Sequence, residues 1–288
     1  MNSNEFHASR KFVNTSFGRI AYVERGTGPV ALFLHGFPLS GFQWRDICED
    51  LASERRSVIP DLMGLGYSEI APAQDLSFAA QANMLASLLD ELKIDSVDLI
   101  GNDSGGGISQ MFATAYPARV RTWTLTDCEV HNLWPNPMLQ QLFDAFESGI
   151  AIEAVKLMAR DLESARQQLS AVYENPATVT DESIKTYFEP LVANETRTAQ
   201  LQKFASAKTN VPQLVSIAPK LKANRIPVQI IWGEADTTFD RDASLNWLRD
   251  NLSGLKKMTL VPRAKLFFPE EHPRLVSVLL REFWRSQA

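Results

Sequence analysis

Two side chains able to attack carbon stand side by side in the stretch LIGNDSGGG (99–107): the carboxylate of Asp103 and the hydroxyl of Ser104. The apolar run before them ends at Gly101 and a helical pattern follows, so the pair sits on a strand-to-helix turn. Such a sharp turn brings backbone against backbone two residues before and two after its tip, and both places need small residues. Centring the turn on Asp103 puts Gly101 and Gly105 there. Centring it on Ser104 puts Asn102 and Gly106 there, and asparagine is a poor substitute for a small residue. Asp103 therefore takes the tip, and the backbone N–H of Ser104 becomes an oxyanion donor. The same residues also suit an ordinary turn with Asp103 as a helix cap and the glycines as packing.

The elements that must position this turn follow one rhythm. Apolar runs at about Arg19–Glu24, Val30–His35, Ser57–Pro60, Val97–Gly101 and Thr122–Thr126 read as strands, with helical patterns at about Ser40–Ala52, Ser77–Leu92 and Ser104–Tyr116 between them. That alternation predicts an α/β fold with a parallel sheet covered on both faces. From about Val130 to Ser216 helical patterns succeed one another without a strand signal; IPVQIIWG (226–233) and KKMTLV (256–261) then restore strands, each followed by a helical pattern. The expected organisation is one sheet domain, 1–129 and 217–288, with a helical cap inserted at 130–216.

Composition narrows the partner. The 288 residues are 45% apolar, enough for one large core with a sizeable insertion. Acidic residues outnumber basic ones 34 to 29, a net charge of −5 without long runs of one sign. No basic face is expected for nucleic acid and no polybasic anchor for a membrane. MNSNEFHASRKF has no hydrophobic signal core, no apolar run reaches the length of a membrane span, and Cys48 and Cys128 are too few for a disulfide framework. The expectation is a cytoplasmic monomer or homodimer acting on a small neutral or apolar molecule, without cofactor or metal.

Four motifs together carry a family resemblance: LFLHGFP (32–38), PDLMGLGYS (60–68), GNDSGG (101–106) and IIWGEAD (230–236). With them the chain resembles the α/β-hydrolase superfamily, in particular its aspartate-nucleophile branch of epoxide hydrolases and haloalkane dehalogenases. The resemblance implies the α/β-hydrolase fold, an oxyanion donor at Phe37 in the His-Gly turn, and a catalytic acid at Asp236, with Glu234 and Asp240 as neighbouring carboxylates. It also implies a histidine late in the chain. Aligning Phe267 and PEEHP within PRAKLFFPEEHPRL (262–275) puts Leu266 in that place, and a leucine cannot take a proton.

In the family's two-step reaction an aspartate attacks carbon to form an ester, and the histidine then activates the water that hydrolyses it. Of the four histidines, His35 reads as scaffolding, His7 lies in a tail, and His272 stands one turn away at a helix start. His131, in TDCEVHNLWP (126–135) where the cap begins, is the replacement candidate, or else a polar residue at a domain seam. Asp127 and Glu129 beside it could orient it or supply an alternative acid. Dehalogenases of this branch hold halide with a tryptophan after the nucleophile, where this chain has Ser104, and the elbow lacks the arginines of fluoroacetate dehalogenases. Epoxide hydrolases protonate the opening oxygen with two cap tyrosines; the cap offers Tyr173 and Tyr187, either of which can equally be buried packing. Trp134, Tyr187 and Leu266 are the expected substrate-lining residues, with Phe143 near the cap entrance. Three function classes follow: hydrolysis of an epoxide or other small apolar substrate, a non-hydrolytic lyase, isomerase or cyclase reaction with Asp103 as acid or base, and silent ligand binding.

Overall fold

The computed structural model describes residues 1–206 and 210–287. Eight strands form one sheet: β1 (Arg10–Thr15), β2 (Gly18–Arg25), β3 (Val30–Leu34), β4 (Arg56–Pro60), β5 (Val97–Asn102), β6 (Val120–Thr126), β7 (Val228–Gly233) and β8 (Leu255–Val261). Their spatial order is β1-β2-β4-β3-β5-β6-β7-β8. Only β2 runs against the rest; β3 to β8 are mutually parallel. The expected strands are all present, and this is the α/β-hydrolase fold. β1, which the sequence reading did not include, lies on the sheet edge with no fully buried residue, so RKFVNT carries no apolar run to betray it.

Parallel strands need covering on both faces, and β5 and β7 are buried at every position. Helices Phe78–Glu91 and Ser104–Ala115 pack on the sheet beside each other, and Arg241–Asn251 and Pro273–Ser286 follow β7 and β8. The expected helix at Ser40–Ala52 resolves into a 3-10 turn, Gly41–Trp44, and a short α-helix, Arg45–Asp50.

Between β6 and β7 the described residues form helices and no strand, from Pro137–Glu147 to Ala218–Ala223. Among the described residues no helix is long and apolar enough to cross a membrane. β3 has β4 on one side and β5 on the other, so the connections diverge at the carboxyl ends of β3 and β5. Open α/β sheets form their ligand crevice at such a point. Here it receives both the His-Gly turn and the Asp103 elbow.

Candidate active site

Asp103 stands alone between β5 and helix Ser104–Ala115, with φ 52° and ψ −130°. A non-glycine residue with positive φ is strained, and such strain holds only where the surroundings enforce it. They do so here. The Asp103 N–H donates to the Asp127 carbonyl at 2.7 Å, tying the tip to the end of β6. A methyl group added at Gly101 would come within 2.4 Å of the Gly105 carbonyl oxygen, and one at Gly105 within 2.3 Å of that of Leu34. These are the two places where the elbow spacing requires small residues.

The His-Gly turn after β3 supplies the opposing wall. The Phe37 N–H donates to Asp103 Oδ2 at 2.8 Å, and the Ser104 amide also favours the carboxylate. Gly36 leaves the necessary room: a methyl there would lie 2.7 Å from Asp103 Oδ2 and 2.9 Å from the Phe267 ring. His35 is scaffolding, as its position in the motif suggested. Its Nε2 accepts from the Leu62 N–H at 3.0 Å, so Nδ1 carries the proton and donates to the Gly36 carbonyl at 2.9 Å. Burial holds its pKa below the usual histidine value. Gln43 accepts from the Gly36 N–H and donates to Asn102, which in turn donates to the Leu266 carbonyl at 3.0 Å. One chain of hydrogen bonds thus fixes the His-Gly turn, the elbow strand and the loop carrying Leu266.

Asp103 and Ser104 open on a cavity of about 410 Å³. Phe37, Phe78, Trp134, Leu266 and Phe267 are in its lining, together with residues of the helices between β6 and β7. Trp134 stacks on Phe78, with ring centroids 6.0 Å apart. Asp144 and Glu147, also in the lining, are exposed. The remaining acid in the lining is Glu129, which is buried.

Glu129 is where the sequence reading was least complete. Its Oε1 accepts from the Ser104 hydroxyl at 3.1 Å, and its Oε2 is buried with no hydrogen bond to the described residues. Gln110 donates to its carbonyl at 2.6 Å and holds that backbone against the elbow helix. Burial pushes its carboxyl up to about 7, even though the Ser104 hydroxyl and nearby amides favour the charge. Burial, followed by the Glu129 charge, pushes Asp103 well above the usual carboxylate range, against the pull of the Phe37 and Ser104 amides. In sequence Glu129 reads as a neighbour of His131 that could orient it or supply an alternative acid; its position two residues after Asp127, at the end of a buried strand, is the signal for a role of its own.

Three expected site residues fall elsewhere. His131 does not line the cavity: it takes a positive φ of 51°, stacks on Trp247 at 4.7 Å and pairs its Nδ1 with Asn132 Oδ1. The turn after β6 thus directs its ring onto helix Arg241–Asn251 and away from Asp103, which corrects its assignment as the base. Tyr187 is buried against Phe42 and does not line the cavity, and the Tyr173 hydroxyl donates to Glu270 Oε2 at 2.6 Å. Both tyrosines are buried packing, and neither lines the cavity as a proton donor. Asp236 accepts from the Thr238 and Phe239 N–H groups of its own turn and lies outside the lining, although its charge raises the pKa of Asp103 and Asp127. Asp127 is fully buried and takes the Gly233 N–H on both oxygens at 3.0 Å.

No imidazole lines the cavity among the described residues. Nor do three or more His, Cys, Asp or Glu side chains among them converge closely enough to hold a metal ion. What the site offers is a constrained carboxylate beside backbone donors, a second buried carboxyl, and apolar walls.

The comparisons with known proteins agree with this architecture. The family model for the α/β-hydrolase fold matches residues 29–270. The chain is 27% identical over 277 residues to haloalkane dehalogenase 2 of Mycobacterium tuberculosis, covering 95% of this chain and 94% of that one. It is also 27% identical over 270 residues to a soluble epoxide hydrolase of Corynebacterium sp., covering 90% and 91%. Among solved structures, the epoxide hydrolase CorEH superposes with a TM-score of 0.81 at 22% identity, over 97% of this chain and 99% of the other. Sheet order, elbow and family match lead to one statement: the chain belongs to the α/β-hydrolase fold family.

Proposed function

We propose that the protein is a hydrolase of small, mostly apolar epoxides and that Asp103 is its nucleophile. One observation carries this reading: the Asp103 carboxylate is held at the tip of a strained elbow, with Oδ2 on the Phe37 amide, at the floor of an apolar cavity. A carboxylate fixed in this way attacks an epoxide carbon and forms an ester. In the second step water adds to the Asp103 carbonyl carbon, and the same amides stabilise the oxyanion. Relatives named as a soluble epoxide hydrolase and a haloalkane dehalogenase agree with a carbon electrophile. Ser104 after the nucleophile and Phe37 in the His-Gly turn favour the epoxide over the halide. Leu266 stands in for the histidine of the related enzymes and lines the cavity.

A second reading, a non-hydrolytic reaction with Asp103 as acid or base, draws on the absence of imidazole from the described lining. One turnover in ¹⁸O-water separates the two. Hydrolysis through Asp103 puts the label into the peptide containing Asp103, because water attacks the ester carbonyl. Label in the diol alone, or conversion without uptake of water, overturns the nucleophilic reading and leaves the acid or base role.

A further inference from the structure

The reaction proposed above needs two proton transfers that the expected residues do not perform. The alkoxide released by ring opening must gain a proton, and the water that cleaves the ester must lose one. His131 faces Trp247, Tyr173 serves Glu270, and Tyr187 lies outside the cavity. We infer that Glu129 performs both transfers, first as the acid and then as the base, in place of a histidine and two tyrosines. The inference rests on Asp103 being the nucleophile. It stands on placement: Glu129 lines the same cavity as Asp103, is bound to the adjacent Ser104 through one oxygen, and keeps the other buried and unpaired among the described residues.

The protons balance over the cycle. Asp103 attacks the epoxide carbon, the ring C–O bond breaks, and protonated Glu129 gives its proton to the alkoxide. Glu129, now ionised, takes a proton from water while the hydroxide adds to the Asp103 carbonyl carbon. Collapse of that adduct breaks the ester C–O bond, and the new carboxyl proton passes to the leaving alkoxide. Asp103 is again a carboxylate, Glu129 is again protonated, and one water has been consumed.

Two buried carboxyls this close favour sharing one proton over carrying two charges. The form competent for attack is the one with the charge on Asp103, where the Phe37 N–H donates to Oδ2 at 2.8 Å, and the shared proton on Glu129. The other titratable groups around the pair are Asp127 and Cys128 on the Glu129 segment, Asp236, whose charge acts on Asp103, and Asp144 and Glu147 in the cavity lining, none of them basic. An acid-base group works best with a pKa near the operating pH, and about 7 suits both roles.

The test follows styrene oxide by intact-protein and peptide mass spectrometry. In wild type, alkylation of Asp103 slows as pH rises and the pair loses its shared proton, while ester release quickens as Glu129 ionises, with a midpoint at lower pH because the esterified Asp103 carries no charge. Glu129→Gln keeps the side-chain volume and a partner for Ser104. It holds the adduct on Asp103, releases it about 10²–10⁴ times more slowly and loses both pH limbs. Glu129→Asp, with its carboxyl kept, recovers part of the release. If folded Glu129→Gln forms the ester as fast as wild type, or releases it within about threefold of wild type, the role of Glu129 is overturned. Label in the wild-type Asp103 peptide from ¹⁸O-water would still uphold Asp103 as nucleophile in that event, so the two failures are distinguishable.

Discussion

At the scale of single residues, the site is decided by what surrounds each carboxyl. Asp103 occupies a backbone conformation that costs about 1–3 kcal/mol, and the Asp127 carbonyl and flanking glycines keep it there. Its identity as the tip was legible in the spacing of Gly101 and Gly105. His131 was misassigned because nearness in sequence does not give the direction of a turn, and its positive φ directs the ring onto Trp247. Glu129 was in view two residues away, but its significance depends on burial and on a bond to Ser104 that only folding creates. Leu266 offers a direct test: its carbonyl is fixed by Asn102 and its side chain lines the cavity. Leu266→His in the Glu129→Gln background should speed release of the Asp103 ester by at least tenfold, read as decay of the adduct mass. An unchanged lifetime would show that an imidazole at this position cannot reach the water.

At the scale of elements, the elbow is the least tolerant part of the fold. Gly105→Ala drives a methyl into the Leu34 carbonyl of the neighbouring strand, and backbone there cannot move without disturbing the β3–β5 register. Gly149, before helix Ile150–Met158, also has a positive φ of 81°, but a methyl there meets nothing within 4 Å. Gly149→Ala should therefore cost about 1 kcal/mol of backbone strain, whereas Gly105→Ala should cost several, comparable to overpacking a rigid core. Urea denaturation of the two variants checks this order, and equal midpoints would contradict it. The central strands and main helices were readable because their residues are buried in the expected periods. β1 was not, since an edge strand with no buried position leaves no pattern to read. The inserted helices were legible as a loss of strand rhythm, but which of their residues face the site was not, as Tyr187 shows.

At the scale of the whole molecule, the buried acids act on stability together. Asp103, Asp127, Glu129 and Asp236 all have pKa values raised chiefly by burial. The unfolded chain ionises these groups near 4, so above that pH it binds fewer protons than the folded state and stability falls as pH rises. The loss continues until each folded pKa is passed. For Glu129, raised from an ordinary 4.5 to about 7, it amounts to on the order of 3 kcal/mol by pH 8. Thermal melts should therefore show a falling Tm between pH 5 and 8, with a shallower fall in Asp127→Asn; a Tm rising across that interval would refute the assignment.

The inner end of the cavity, with Asp103 and Glu129 in its lining and apolar walls around them, also sorts visitors by charge. A fatty acid or other organic anion would have to bring a further negative charge into a poorly solvated space already near two carboxyl groups. A neutral ether or hydrocarbon incurs no such cost, and a protonated amine would be drawn inward and held against Asp103. Amphiphilic amines should therefore occupy this site and carboxylic acids should not.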